Sequence, residues 1–65
     1  MSFELYEVWA EDADGHQELI DTTRSRTHAM QLAEQTFNNG GWIVATVYQE
    51  TEDGDLEEVQ RFENN

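Results

Sequence analysis

The stretch SRTHAMQLAEQTFNNGG, residues 25–41, decides the fold. Ala29, Leu32, Ala33, Thr36 and Phe37 recur at helical spacing, and Met30 widens the apolar stripe. Ser25 is suited to accept the first free backbone N–H groups as an N-cap. Gly40, preceded by Asn38 and Asn39, supplies the left-handed residue that ends such a helix. One helix of this length cannot hold a 65-residue chain together, so the flanking segments are expected to form a sheet beneath it.

Those flanks read as two hairpins. Residues 3–10 are rich in aromatic and β-branched side chains and form a first strand. An acidic turn, Glu11-Asp12-Ala13-Asp14-Gly15, leads to a second strand over residues 17–22. Beyond the helix, residues 42–50 make the strongest strand signal. The turn Glu52-Asp53-Gly54 then leads to a fourth strand over residues 56–62, and Glu63, Asn64 and Asn65 are expected to fray. With strand 1 between strands 2 and 3, the order is 2-1-3-4. The expected fold is a two-layer α+β domain, ββαββ, with a four-stranded antiparallel sheet and one helix on one face. The whole chain, 1–65, reads as a single domain.

The hairpins look like weak copies of each other. An offset of 39 positions aligns Val8 with Val47, Trp9 with Tyr48, Asp14-Gly15 with Asp53-Gly54, and Ile20 with Val59. A three-residue X-Asp-Gly loop would pair Val8 with Ile20, Tyr6 with Thr22, and Val47 with Val59. A two-residue loop would instead oppose Val8 to Asp21 and Val47 to Gln60. The three-residue loop is preferred because it gathers the β-branched residues on one face. The core face beneath the helix then holds Tyr6, Val8, Ile20, Ile43, Ala45, Val47 and Val59.

The other sheet face, by the same register, carries Leu5, Trp9, Leu19, Val44, Tyr48, Leu56 and Phe62. Trp42 sits at its edge, and Glu7, Asp21 and Glu58 interrupt it. A water-facing antiparallel sheet normally alternates to polar residues, and this one does not. Contiguous apolar patches rich in Trp and Tyr mark association surfaces. The expectation is a non-enzymatic protein-interaction module that self-associates, as a homodimer, through Leu5, Trp9, Leu19, Val44, Tyr48 and Phe62. The competing reading is that these aromatics lie flat and cap the edges of a monomeric core.

Charge is the strongest compositional signal. Fifteen acids face three Arg and no Lys, for a net charge of −12. Residues 1–22 carry −7, residues 23–41 carry +1 and residues 42–65 carry −6, so both hairpins are acidic and the helix is nearly neutral. Long-range repulsion disfavours direct contact with nucleic acid or an anionic membrane and favours basic partner proteins. An alternative function follows. The carboxylates of Glu11, Asp12, Asp14, Glu52, Asp53 and Asp55 could imitate nucleic-acid phosphates and block a basic DNA- or RNA-binding protein, as small acidic phage inhibitors do. The charge could also simply serve solubility, or adaptation to high salt.

No motif for chemistry stands out. The Asp-Gly turns lack the ligand series of a calcium loop, since the twelfth position from Asp12 is Thr23. There is no Cys, and His16 and His28 lack zinc-ligand spacing. Ser25 is accounted for as a cap, so no nucleophile is apparent. Arg24 and Arg26 read as neutralising nearby acids rather than gripping an anion. No enzyme activity, cofactor, metal or specific small molecule is expected. With no apolar run near the roughly 18 residues of a membrane span, a soluble, cytoplasmic protein is the default.

Overall fold

The computed structural model describes residues 4–63. Its elements are β1 (Leu5–Glu11), β2 (Gln17–Thr23), α1 (Arg26–Asn38), β3 (Val44–Glu50) and β4 (Leu56–Glu63). The four strands form one antiparallel sheet in the order β2-β1-β3-β4, and α1 packs across it, chiefly over β1 and β3. This is the ββαββ arrangement expected from the sequence. The expected strand start at Phe3 and the fraying of Asn64 and Asn65 lie outside the described residues. Glu63, expected to fray with them, instead closes β4 opposite Val44.

Local chemistry sets the helix ends. The Ser25 hydroxyl accepts the His28 backbone N–H at 3.2 Å, and the Ser25 carbonyl accepts the Ala29 N–H at 2.9 Å. At the far end Gly40 adopts φ +83° and its N–H donates to the Phe37 carbonyl at 3.3 Å. The stripe that meets the sheet is made of small residues. Ala29 and Ala33 are fully buried against Tyr6, Val8, Ala45 and Val47, with Met30, Leu32 and Phe37 filling the flanks. Alanine at these positions lets the helix backbone approach the sheet closely.

The hairpin loops are the three-residue kind. Ala13-Asp14-Gly15 and Glu52-Asp53-Gly54 are closed by Asp12 N–H to His16 O at 3.0 Å and Thr51 N–H to Asp55 O at 2.8 Å. Gly15 and Gly54 both sit at φ +88°, which an L side chain resists. The register beyond them needs correction. Next to the turns the ladder follows the expected pairing, as in Trp9 with Leu19 and Tyr48 with Glu58. It then shifts by one residue, so that Val8 faces Asp21, Tyr6 faces Thr23, and Val47 faces Gln60. Ile20 and Val59 are the extra residues of two β-bulges. Each hairpin thus uses both candidate registers, one on either side of its bulge.

The bulges change which residues face the helix. Ile20 and Val59 still pack against the core, as expected. Phe62, expected on the open face, is carried to the helix side. It pairs with Ala45 and its ring centroid lies 6.4 Å from that of Phe37. Asp21, also expected on the open face, is drawn opposite Val8. Ile43, expected in the core, is 41% exposed, because it precedes β3 in the connection from Gly41, where its N–H donates to the Glu11 carbonyl at 2.9 Å.

The two bulges fall at positions related by the 39-residue offset, opposite the Val8/Trp9 and Val47/Tyr48 steps. Val8 and Val47, which are each other's counterparts, pair directly at the centre of the β1–β3 ladder. The sheet therefore has an approximate internal two-fold axis through this pair, broken on one side by the helix.

Candidate functional site: the helix-free sheet face

The strands place successive side chains on opposite sides, so the residues between those beneath the helix form a second surface. β1 contributes Leu5, Glu7, Trp9 and Glu11, and β3 contributes Val44, Thr46, Tyr48 and Glu50. The outer strands add Gln17, Leu19 and Thr22 from β2, and Leu56, Glu58, Arg61 and Glu63 from β4. Of the seven apolar residues expected on this face, Leu5, Trp9, Leu19, Val44, Tyr48 and Leu56 lie on it, and Phe62, one of the six named for the interface, does not.

The floor of the face is closed. Thr46 is 5% and Val44 9% exposed, although no helix covers them. They are roofed by half-buried Trp9 and Tyr48 and bordered by Gln17 and Arg61, which together line a shallow groove. Leu19 and Leu56 lie farther out, each 44% exposed. The polar groups of the face are tethered to one another. The Trp9 indole N–H donates to Glu7 at 2.9 Å, and the Gln17 amide donates to Glu11 at 3.1 Å. Arg61 donates through Nε to Glu63 at 3.1 Å and lies 3.9 Å from Glu58.

An aromatic strip is thus rimmed by Glu7, Glu11, Glu50, Glu58 and Glu63, against one Arg. Arg61, Thr46 and Gln17 were not singled out from sequence. Thr46 had a signal, being a lone hydroxyl inside the apolar run 43–47. Arg61 had none, because the bulge at Val59 decides its side.

The acidic loop residues separate into two groups. β1 and β3 are antiparallel, so Glu11, Asp12 and Asp14 lie at one end of the sheet and Glu52, Asp53 and Asp55 at the other. The Cα envelope is 38 Å long and about half that in each other direction. Asp12 is committed to the turn, its Oδ1 accepting the Asp14 and His16 backbone N–H groups at 2.9 and 3.0 Å. At the equivalent position the Thr51 hydroxyl accepts from Asp55 N–H at 3.1 Å. His16 Nδ1 lies 3.7 Å from Asp12, and His28 Nδ1 lies 3.3 Å from the Thr23 hydroxyl. Among the described residues, no three His, Asp or Glu side chains converge as metal ligands, and no helix is long and apolar enough to cross a membrane.

Burial raises the Tyr6 phenol, and the charge of Glu4 and the hydrogen bond to it at 3.2 Å act in the same direction. The positive charge of Arg26 opposes them.

Comparison with protein-family models, with curated proteins and with solved structures finds no match.

Proposed function

We propose that this protein is a non-enzymatic interaction module that binds other proteins through its helix-free sheet face. The observation that carries the reading is the Trp9–Tyr48 strip over the closed floor of Thr46 and Val44. Large amphipathic rings on a rigid, preorganised surface lose little entropy on binding and are favoured contact anchors.

The rim bears on the choice of occupant. Stacking two copies face to face would set five carboxylates against five, on chains that each carry −12. That repulsion falls within a Debye length of about 10 Å at 0.1 M salt and about 3 Å at 1 M. Self-association is therefore favoured only where salt screens the rim, and at ordinary ionic strength the same rim favours a basic partner. Light scattering tests the face directly. The expected mass is that of a monomer at low salt and a dimer at molar salt, with Trp9→Glu monomeric in both. A wild-type monomer in both conditions would remove self-association and leave the face to a basic partner, and a Trp9→Glu dimer would contradict the reading.

A second reading is occupation of a basic nucleic-acid-binding groove by carboxylates in place of phosphates. The two acidic loops at opposite ends of a 38 Å molecule favour it. It requires competition with DNA or RNA for the partner, weakening steeply with salt. Unchanged inhibition after joint neutralisation of Glu11, Asp12, Asp14, Glu52, Asp53 and Asp55 would remove it.

A further inference from the structure

The internal two-fold axis of the sheet emerges on the helix-free face. It passes through the Val8–Val47 pair, and the 39-residue offset exchanges Trp9 with Tyr48, Glu11 with Glu50, and Asp14 with Asp53. The exchange is approximate, since Glu7 answers to Thr46 and Leu19 to Glu58. The helix, which breaks the symmetry, lies wholly on the other side. This surface therefore offers an aromatic ring and a carboxylate on each side of an axis, with an acidic loop at each end.

We propose that this face docks on the two-fold axis of a basic protein homodimer, one chain per dimer. The proposal rests on the reading of the helix-free face as the contact surface. A homodimer presents every surface group twice, related by its axis, and a ligand engages both copies at once only if it carries its own complementary groups in the same relation. Here those groups are negative, so the complementary patches are positive. A second copy of this chain is disfavoured as occupant because its rim repeats the same sign. Engagement of one half by one basic patch brings the other half within reach of the second, so binding gains from linkage rather than from new contacts.

The test uses two defined probes. One is an octa-arginine peptide. The other is two such peptides joined by a Gly/Ser linker of about 40 residues, whose root-mean-square length is about 35 Å. That length suits the 38 Å molecule. Calorimetry is expected to give two single peptides per chain but one tandem per chain, with the tandem bound about 100-fold more tightly. Glu11→Gln with Asp14→Asn should abolish the linkage gain and leave single-peptide binding at one half. Glu50→Gln with Asp53→Asn should do the same from the other end.

A diffuse field of −12 would instead lose little from two neutralised carboxylates, and that result would overturn the proposal. So would equal affinity for the two probes, or two chains held on one tandem. Amide shifts separate this failure from failure of the contact face itself. A tandem that binds with the expected gain yet leaves the Trp9 indole and Thr46 amide unmoved would contradict the face and leave only the loops.

Discussion

The two faces of the sheet are built from alternate residues of the same strands, yet they solve burial in opposite ways. Beneath the helix, Val8, Ala45 and Val47 are fully buried, and Ala29 and Ala33 descend onto them. Small and β-branched side chains there allow close approach, and the helix does the covering. On the other face Thr46 and Val44 are nearly as buried with nothing above them but Trp9, Tyr48 and their neighbours. One face is closed by a second layer; the other is closed by the breadth of its own side chains. The first arrangement is fixed once folding is complete. The second leaves Trp9 and Tyr48 half-exposed within a charged rim, which is why the proposed function is placed there.

The largest effects should expose this contrast. Val8→Ala and Val47→Ala remove buried methyl groups from a core that cannot collapse around the gap, and each is expected to cost about 2 kcal/mol. Thr46→Val, nearly as buried but on the open side, should shift stability by less than about 1 kcal/mol. Urea unfolding of the three variants checks the order, and a larger loss at Thr46 than at Val8 would break the comparison.

A smaller effect tests the equivalence of the hairpins. Gly15→Ala and Gly54→Ala place a Cβ at φ +88°, where open space surrounds each position and only backbone strain acts. Each should cost roughly 1–2 kcal/mol, and by similar amounts. Unequal melting temperatures would show that the two loops are not interchangeable in their strain.

The smallest effect concerns the covered face at alkaline pH. Tyr6 has its pKa raised above 10.0, first by burial and then by Glu4. A phenol raised in the folded state keeps its contribution intact below its unfolded value. That contribution is lost as pH climbs from about 10 through the folded value. The melting temperature should fall across this window, and Tyr6→Phe should flatten the fall. An unchanged slope in that variant would assign the loss to other groups.

Much of this architecture was legible because its determinants are local. The N-cap at Ser25, the left-handed Gly40 and the two Asp-Gly loops each fix a boundary from a few neighbouring residues, and strand order follows from them. The bulges were not legible. Ile20 and Val59 are apolar under either register, so period-2 alternation could not reveal that each hairpin changes register midway. Phe62 was misplaced for that reason. What carries it to the helix side is a long-range demand, the Phe37 ring at the helix end, which has no local sign in β4. Ile43 was misjudged because strand alternation was extended beyond the start of the ladder. The covering of Thr46 was equally hidden, since it depends on where the Trp9 and Arg61 side chains lie across neighbouring strands.

The central claim is that the helix-free face is the working surface. The most direct measurement follows amide and indole NMR shifts as protein concentration is raised in molar salt, where the carboxylate rim is screened. The Trp9 indole and the amides of Thr46 and Tyr48 should move together with concentration. Ala29 and Ala33, buried beneath the helix, should stay in place. Movement confined to the helix or to the Asp-Gly loops, with Trp9 and Thr46 unmoved, would contradict the account.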